Sequence, residues 1–507
     1  MSVIFRLSFC NVLLDEKLKV LRDIFSHTAT SLEESSRNQP ISLPSLVYIS
    51  AFVKCFLHIF YFYSLFLHIF SLALFVYLLY SNFSAEFLQK YKQKKERMFI
   101  MKEKVILAYS GGLDTTAIIP WLKENYDYDV ICCCIDCGQE EELDGLEERA
   151  KLSGASKLYI EDITDEFCED YIIPCVQAGA VYENKYLLGT SMARPGIAKK
   201  LVEIARKEGA TAICHGATGK GNDQIRFELG IKALAPDLKI IAAWRDDKWN
   251  MNSREEEIEY CKAHGIDLPF SADSSYSRDR NLWHISHEGL ELEDPACEPN
   301  YDHLLVLGVS PEKAPDEGEY VTMTFEQGVP KSVNGKEMKV SDIIRELNRL
   351  GGKHGIGIID IVENRVVGMK SRGVYETPGG TILMEAQQQL EELVLDRATM
   401  EVKKDMGNKM AQICYEGKWF TPLREAVQAF VESTQKYVTG EVKFKLYKGN
   451  IIKAGTTSPY SLYSESLASF TTGDLYDHHD AEGFITLFGL PLKVRAMKMA
   501  ELEKNNQ

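Results

Sequence analysis

The sequence predicts an α/β protein: a doubly wound, parallel-sheet domain, then an α+β domain and a C-terminal helical arm. Between residues 104 and 215, short apolar runs alternate with helical stretches, which is typical of a parallel sheet covered by helices. Later strands alternate as half-buried antiparallel strands do, and the chain ends in an amphipathic helical pattern. A chain of 507 residues has room for two or three domains.

The predicted elements of the first domain follow one another closely. Its strands are short apolar runs at Lys104–Tyr109, Asp129–Ile135, Lys157–Ile160 and Ala212–His215. The helices between them are Ala117–Asn125, Glu140–Gly154 and Ile197–Glu208. In such sheets, ligands bind at the carboxyl ends of the strands. The two glycine-rich loops of this chain, 110–116 and 216–222, are expected at those ends.

The pattern changes after about residue 245. Ser271–Asn281 is polar and rich in turn-forming residues, and Tyr320–Phe325 alternates apolar and polar side chains. Ala481–Glu503 ends in an amphipathic helical pattern, and a terminal arm of this kind often packs on another subunit. The expected division is therefore an atypical extension, a parallel-sheet domain, an α+β domain and a helical arm, at 1–100, 101–270, 271–480 and 481–507.

Composition limits the possible functions. Hydrophobic residues make up 45% of the chain and charged residues 26%, as in an ordinary soluble globular protein. The formal charge of −16 disfavours a nucleic-acid-binding protein, because such proteins usually carry a basic patch. Residues 1–100 hold 11 Lys and Arg against 7 Asp and Glu, a net of +4, which leaves −20 for residues 101–507. The first hundred residues therefore differ in kind from the rest.

A hydrophobic segment marks these first hundred residues. Cys55–Tyr80 contains no Asp, Glu, Lys or Arg and is long enough to cross a bilayer core of about 30 Å. The basic run Lys90–Arg97 would keep the C-terminal part in the cytoplasm. However, the segment is unusually rich in aromatic residues, and Met101 with the following KEKVILAYSGG resembles a natural start. A mispredicted upstream extension, a membrane anchor and a targeting segment are the three open interpretations.

The twelve cysteines are scattered, which predicts reduced thiols of an intracellular protein. A single C-x-x-C spacing occurs, formed by Cys134 and Cys137 in the run 132–137. A zinc or iron–sulfur site would need a second pair, and the chain has no other C-x-x-C. We therefore interpret this run as the buried end of a strand.

Ser110–Thr116 (SGGLDTT) carries the first chemical signal. Its two glycines let backbone N–H groups converge on an anion, because no Cβ blocks the approach. The N-terminus of the following helix points at the same place and adds its dipole, while the loop hydroxyls supply further donors. The pattern predicts a pyrophosphate-binding loop that lacks the lysine of a Walker loop.

His215–Glu228 (HGATGKGNDQIRFE) carries the second signal. Gly219–Lys220 suggests a Walker A loop, but Cys214 replaces the required upstream glycine and Gly221 the required Ser or Thr. What remains is a loop with backbone donors for phosphate, followed by Asn, Asp and Arg side chains that could hold the charged ends of an amino acid. Such a density of glycines and polar groups would be costly in a mere connection, so we predict a ligand site.

Six separated motifs together resemble the argininosuccinate synthases, whose first loop is the signature of the N-type ATP pyrophosphatases. SGGLDTT and HGATGKGNDQIRFE are two of them, and the others are Tyr186–Pro195, Asn281–Ser286, Gly352–Arg365 and Gly368–Thr381. The resemblance covers Lys102 to the C-terminus, and residues 1–100 have no counterpart in it. Thr116 departs from the family pattern, in which serine is commoner, but it retains the hydroxyl.

The resemblance implies sites for three substrates. ATP would be bound by Ala108, Tyr109, Ser110, Gly111, Gly112, Leu113, Asp114, Thr115, Thr116, Ile135, Gly216, Ala217, Thr218, Gly219, Lys220, Gly221 and Asn222. Citrulline would be held by Tyr186, Ser191, Asn222, Arg226, Ser277, Ser286, Glu363 and Tyr375. Aspartate would contact Thr190, Thr218, Asn222 and Asp223. Arg226 would grip a carboxylate in bidentate fashion, and Asp223 and Glu363 would pair with α-ammonium groups.

The resemblance also implies a reaction of arginine biosynthesis and the urea cycle, the ligation of citrulline to aspartate. The ureido oxygen of citrulline attacks the α-phosphorus of ATP, pyrophosphate leaves, and the amine of aspartate then displaces AMP from citrullyl-AMP. Mg²⁺ is expected on the phosphates, with no protein metal ligand predicted. The enzyme would be a cytoplasmic homotetramer that binds no nucleic acid. Membrane contact would require that residues 55–80 be genuine and retained.

Two other functions compete with this one. A tRNA-thiolating enzyme would use Cys134 and Cys137, but the missing second C-x-x-C and the strongly acidic residues 101–507 disfavour it. A membrane-anchored scaffold built around Cys55–Tyr80 would contain an inactive ligase-like domain, which the intact glycine loops disfavour. The sequence therefore favours the ligase.

Overall fold

The computed structural model of the chain describes residues 102–266, 276–468 and 477–506, together with Lys19, Val20 and Asp23. The chain divides into two compact units, residues 1–101 and 102–507. The hydrophobic segment 55–80 and the basic run 90–97 lie outside the described residues. Among the helices that are described, none is both long and apolar enough to cross a membrane.

A five-stranded parallel sheet opens the unit 102–507. Its strands are β1 Lys104–Ala108, β2 Asp129–Asp136, β3 Lys157–Asp162, β4 Ala212–His215 and β5 Lys239–Ala242. They lie in the order β3-β2-β1-β4-β5, and β1 is central because its apolar residues are covered on both faces. The direction of winding reverses between β1 and β4, which creates a crevice at the carboxyl ends of these two strands.

Helices cover this sheet on both faces, as in a doubly wound fold. They are α1 Leu113–Tyr126, α2 Leu146–Leu152, α3 Thr164–Phe167, α4 Ile173–Ala178, α5 Gly189–Glu208, α6 Asp223–Leu234 and α7 Arg254–Ala263. Three sequence-based bounds need correction. The helix expected at 140–154 is interrupted at Gly145, whose φ of 70° lies in the left-handed region that favours glycine. The helices expected from Ala117 and Ile197 begin earlier, at Leu113 and Gly189.

Antiparallel sheets follow from residue 277. Their strands are β6 Ser277–Arg280, β7 Ile285–Glu288, β8 Glu319–Glu326, β9 Val329–Val333, β10 Lys336–Glu337, β11 Ile358–Asn364, β12 Lys370–Glu376, β13 Gly440–Tyr447 and β14 Asn450–Thr457. They form one sheet in the order β10-β9-β8-β13-β14 and another in the order β11-β12-β7-β6. β8 buries every second side chain, which confirms the half-buried antiparallel strand predicted at Tyr320–Phe325.

The helices of this second part are α8 Tyr301–Leu304, α9 Val340–Lys353, α10 Pro378–Val394, α11 Arg397–Tyr415, α12 Pro422–Gln435, α13 Glu465–Ala468, α14 His479–Phe488 and α15 Leu490–Asn505. Apolar side chains of α9 and α10, such as Leu347 and Leu383, belong to one buried core with Val321 and Phe444 of the sheet. The predicted α/β fold class is confirmed. The final stretch, expected as one helical pattern, consists of two helices that meet at Gly489.

Candidate active site

A cavity of about 520 Å³ lies at the crevice between β1 and β4. Ten of the residues predicted to bind ATP line it: Ala108, Tyr109, Ser110, Gly112, Leu113, Asp114, Thr115, Ile135, Gly216 and Ala217. A larger cavity, of about 1150 Å³, lies among α4, β11, α10 and α11, and none of the predicted ligand residues lines it. We place the active site in the smaller cavity, because both glycine loops and the crevice of the parallel sheet converge there.

The first loop presents unpaired donors to this cavity. Gly112 is the N-cap of α1, and no side chain caps the helix, so the N–H groups of its first turn are available to an anion. The hydroxyls of Ser110 and Thr115 lie 3.3 Å apart at the same place. Thr116 differs from them because it is fully buried and its hydroxyl lies 3.3 Å from the hydroxyl of Tyr109. Among the hydroxyls predicted to meet phosphate, those of Ser110 and Thr115 therefore face the cavity.

Side chains outside the second loop donate hydrogen bonds to its backbone carbonyl groups. Gln224 donates from Nε2 to the carbonyls of Gly219 and Gly221, at 2.7 and 3.0 Å. Arg365, in the turn after β11, donates to the carbonyl of Lys220 at 3.2 Å. These contacts use carbonyl groups and leave amides of the loop for a ligand. The part of the loop from Thr218 to Asn222 does not line the cavity.

A charged cluster lies beside the first turn of α6. Arg194 donates to Asp223 Oδ2 from Nε and Nη2, at 2.9 and 2.7 Å, and to Asp279 at 2.7 Å. Arg226 donates to Asp223 Oδ1 at 2.9 Å. Burial alone would raise the pKa of Asp223, but the two guanidinium groups outweigh burial and lower this pKa to about 2. Asp223 is therefore ionised and serves both arginines at once.

Aromatic rings and hydroxyls form a second cluster around Tyr186. The rings of Tyr186 and Tyr375 lie 4.7 Å apart, and the Thr190 N–H donates to the Tyr186 hydroxyl at 3.1 Å. Ser286 of β7 stands opposite Tyr375 of β12 in the sheet register. Ser191 is fully buried, and its oxygen lies beside the Tyr186 hydroxyl without a hydrogen bond of normal geometry. These buried hydroxyls retain hydrogen-bonding capacity for a polar ligand.

Glu363 adds a carboxyl group to this cluster. Its side chain is buried, and its Oε2 finds no hydrogen-bond partner among the described residues. Burial raises the pKa of Glu363, and the charge of Arg226 partly offsets this rise. A buried carboxyl oxygen without a partner is costly, and a donor on a ligand would satisfy it. Ser277, predicted for the same substrate, instead lies exposed in the lining of the cavity between β1 and β4.

Tyr415, at the end of α11, joins the C-terminal part of the chain to the site. Its hydroxyl accepts a bond from Asn222 Nδ2 at 2.9 Å, and its carbonyl accepts one from Arg226 Nε at 3.0 Å. Its ring stacks on Tyr182, with centroids 3.6 Å apart and planes 7° apart. Neither Tyr415 nor Tyr182 is predicted from the sequence, because both stand outside the six motifs. Arg194 lies inside the motif Tyr186–Pro195, and its charge is the signal that could have marked it.

Cys134 and Cys137 lie in the cavity wall but do not form a reactive pair. Both are buried, at 4% and 2% exposure, and burial raises the pKa of Cys137. A reactive thiol needs a lowered pKa and access to solvent. Within the described ranges, no group of three His, Cys, Asp or Glu side chains could hold a metal ion. The geometry therefore does not favour thiolation chemistry.

Comparison with known proteins agrees with this geometry. The family models for the arginosuccinate synthase N-terminal HUP domain and C-terminal domain match residues 104–267 and 276–495. The argininosuccinate synthase of Agathobacter rectalis is 89% identical over 408 residues, which cover 80% of this chain and 100% of the relative. Those of Lachnospira eligens and Brachyspira hyodysenteriae are 83% and 64% identical, over 80% of this chain and 100% and 99% of their own lengths. The chain belongs to the argininosuccinate synthase family.

Proposed function

We propose that this chain joins citrulline to aspartate at the expense of ATP, through citrullyl-AMP, and releases AMP, pyrophosphate and argininosuccinate. The observation that carries the proposal is the position of Asp223. It lines the cavity between β1 and β4, where the phosphates of ATP would bind, and it also accepts a hydrogen bond from Arg226. Arg226 in turn donates to the Tyr415 carbonyl and lies close enough to Glu363 to lower its pKa. A nucleotide and an amino acid could therefore meet at this residue.

ATP is assigned to the two glycine loops. We propose that Ser110–Thr116 cradles the phosphates, that Ile135 contacts the nucleotide, and that Gly216–Asn222 covers it. The uncapped N-terminus of α1 and the glycine backbone supply N–H donors without side-chain interference. Such donors stabilise charge on a leaving pyrophosphate without having to reorganise.

The amino-acid substrates are assigned to the two clusters beside the cavity. For citrulline we propose Tyr186, Ser191, Asn222, Arg226, Ser277, Ser286, Glu363 and Tyr375, and for aspartate Thr190, Thr218, Asn222 and Asp223. The Nε of Arg226 is already used by Tyr415, and its Nη1 by Asp223. A substrate carboxylate would therefore meet mainly Nη2, so the bidentate grip expected from the sequence would require one of these bonds to be exchanged.

The proposed chemistry needs positioning more than a protein nucleophile. The ureido oxygen of citrulline forms a bond to the α-phosphorus while the bond to pyrophosphate breaks. The aspartate amine then forms a bond to the ureido carbon, and the carbon–oxygen bond to AMP breaks. Holding the reactants in line at adjoining clusters accounts for much of the rate enhancement. Arg194 and Arg226, whose charges are already balanced by Asp223 and Asp279, would orient the carboxylates that gather there.

Mg²⁺ is proposed as the partner of the ATP phosphates. The Asp114 carboxylate lines the cavity, and the buried carboxyl of Glu257 lies beside it. Burial and the neighbouring Asp114 carboxylate raise the pKa of Glu257 to about 9, so the Glu257 carboxyl is protonated at pH 7. A hard cation would fit there, with Asp114 as its protein contact and phosphate oxygens as its other ligands. When bound, Mg²⁺ would neutralise charge on the leaving pyrophosphate.

The first test follows the products of the full-length chain. We expect AMP and pyrophosphate to form in equal amounts only when ATP, citrulline and aspartate are all present. If the ureido oxygen of citrulline carries ¹⁸O, the label should appear in AMP, because that oxygen leaves with the nucleotide. Mass spectrometry of the nucleotides measures both outcomes. Steady turnover without citrulline, ADP as product, or unlabelled AMP would each refute the proposed reaction.

The helical arm supports a further proposal, that the enzyme is a homotetramer. No side chain of α14 or α15 is buried, and Phe484, Leu487, Phe488 and Leu492 are each more than 60% exposed. An exposed apolar patch of this kind usually marks an interface. We propose that the arm packs on another copy of the chain.

Charged substitutions in the arm test this assembly. We expect Phe488→Asp with Leu492→Asp to lower the molar mass in multi-angle light scattering from four chains to fewer, because apolar interface area is replaced by charge. Asn505→Asp with Asn506→Asp adds the same charge to the same arm and should leave the mass unchanged. A tetramer in both double variants, or a monomeric parent chain, would overturn the proposal.

We also propose a cytoplasmic location and the division of the chain into an extension 1–100, an ATP domain 101–270, a synthetase domain 271–480 and an arm 481–507. Ten cysteines fall within the described residues, and none of these ten is in a disulfide. Reduced thiols are typical of cytosolic proteins.

A further inference from the structure

His284, on the turn before β7, is buried between the helix α5 and the site residue Tyr375. Its ring is fully buried and parallel to that of Tyr375, with centroids 5.9 Å apart and planes 9° apart. On the other side it lies against Gly189, where a Cβ atom would come within 2.2 Å of His284 Cγ. Asn281 holds the backbone of both His284 and Gly189. Its Oδ1 accepts a hydrogen bond from the His284 backbone N–H at 3.2 Å, and its Nδ2 donates to the Gly189 carbonyl at 3.1 Å. The ring is therefore held in one position.

The two ring nitrogens of His284 have different surroundings. Nε2 lies 3.0 Å from Oγ1 of Thr190, and Nδ1 has no hydrogen-bond partner in the described part of the chain. Burial lowers the pKa of His284 to about 4, so the ring is neutral at pH 7 and carries one proton. That proton is either on Nε2, bonded to Thr190, or on Nδ1, where the described residues offer no acceptor.

The second arrangement is the costlier one. An N–H group on Nδ1 would be a buried donor without an acceptor, which is rarer and less favourable in proteins than an unpaired acceptor. The proton therefore belongs on Nε2, and His284 is the donor in its bond to Thr190.

We propose that His284 is a positioning residue that fixes the Thr190 hydroxyl as a hydrogen-bond donor toward a substrate carboxylate. Since Thr190 Oγ1 accepts from His284, its own hydrogen is directed elsewhere. Thr190 is only half-buried, so this hydrogen can reach a ligand, and a carboxylate can only accept. The inference rests on the proposed assignment of Thr190 to aspartate, and it adds a residue and a proton position to that assignment.

Two substitutions of His284 separate positioning from simple packing. The amide nitrogen of His284→Gln reaches the place of Nε2 and can still donate to Thr190, whereas that of His284→Asn reaches only the place of Nδ1. We expect the Asn variant to raise KM for aspartate about tenfold with little change in kcat, because a bond to a charged group is lost from the bound state. The Gln variant should stay within about threefold of the parent KM. Equal losses in both variants would mean that the ring serves packing alone.

A double substitution tests whether His284 acts through Thr190. Thr190→Val removes the hydroxyl at nearly constant volume and should itself raise KM for aspartate about tenfold. Adding His284→Asn to it should cause no further rise, because contacting residues that act through one bond are not additive. Additive losses would overturn the proposal. Thermal melting of each variant identifies any that fails to fold.

Neutron diffraction from deuterated crystals of the unmodified full-length chain tests the proton directly, whatever the variants do. Deuterium on Nε2 alone supports the proposal, and deuterium on Nδ1 refutes it. This result does not depend on activity. If the chain formed no argininosuccinate while Nε2 carried the deuterium, the proposed function would fail and the tautomer would stand.

Discussion

Replacing Asp223 by alanine is expected to lower kcat/KM for aspartate at least about a hundredfold and to destabilise the fold by about 3 kcal/mol. The carboxylate accepts two bonds from Arg194 and one from Arg226, whose side chains are only 12% and 5% exposed. Alanine would leave Arg226 without an anionic partner and Arg194 with Asp279 alone. We take the lower end of the range for a broken buried pair because Asp223 itself is 27% exposed.

Steady-state kinetics and thermal melting measure the two parts of this expectation. Asp237→Ala is the matched control, because Asp237 also forms a two-bond contact with an arginine, Arg206, but on the surface. Exposed ion pairs contribute little, so the control should melt and turn over like the parent chain. If Asp223→Ala kept parental kcat/KM for aspartate, our placement of Asp223 at the centre of the site would be wrong.

The same carboxylate gives a pH dependence with a definite sign. The pKa of Asp223 falls from its ordinary value of 3.8 to about 2 in the folded chain, so its ionised form favours folding. This stabilisation is complete above about pH 4 and is lost as the pH falls from about 4 to 2. The difference in unfolding free energy between the parent and Asp223→Asn should therefore shrink across that interval. A constant difference would contradict the pairing.

The sequence predicts the parallel sheet and its loops because their signals are local. Residues 105–108 (VILA) are continuously apolar, as a strand buried on both faces must be, and the glycines of 110–116 follow them closely. Helix bounds are harder to predict. Proline usually starts or interrupts a helix, but Pro195 lies inside α5. The helix start predicted at Ile197 is therefore eight residues after the observed start at Gly189.

The composition of the site is predictable only where a motif carries each residue. Tyr415 stands 193 residues after Asn222, and their hydrogen bond exists because the C-terminal end of α11 lies beside the first turn of α6. No periodicity along the chain records such a contact. The opposite error occurs at Thr116, whose place in the loop suggests a phosphate donor, although its hydroxyl turns to Tyr109. A loop pattern identifies the ligand but does not determine which way each side chain points.

Replacing Glu376 by alanine is the second large expected effect, a loss of about 3 kcal/mol that would lower Tm by roughly 3 to 4 °C. Glu376 ends β12 and is 2% exposed. Its two oxygens accept hydrogen bonds from the backbone N–H groups of Val306, Leu307 and Gly308 at 2.7 to 3.0 Å. Its Oε1 also lies 2.8 Å from His287 Nε2. Removing the carboxylate leaves these donors without an acceptor.

Glutamine should not rescue this position, and that distinguishes the carboxylate from a merely well-packed side chain. Arg278 donates to His287 Nδ1 at 3.2 Å, so His287 Nε2 carries the proton and donates to Glu376. Both oxygens of Glu376 therefore face only donors, and the NH₂ group of Glu376→Gln would meet N–H groups in either orientation. The matched control is Glu319→Gln, whose residue also contacts a histidine but is 33% exposed, and it should cost less than about 1 kcal/mol. Thermal melting measures the stability of each variant. If Glu376→Gln lost as little stability as the Glu319→Gln control, and not as much as Glu376→Ala, the shape of the side chain would matter at this position and its charge would not.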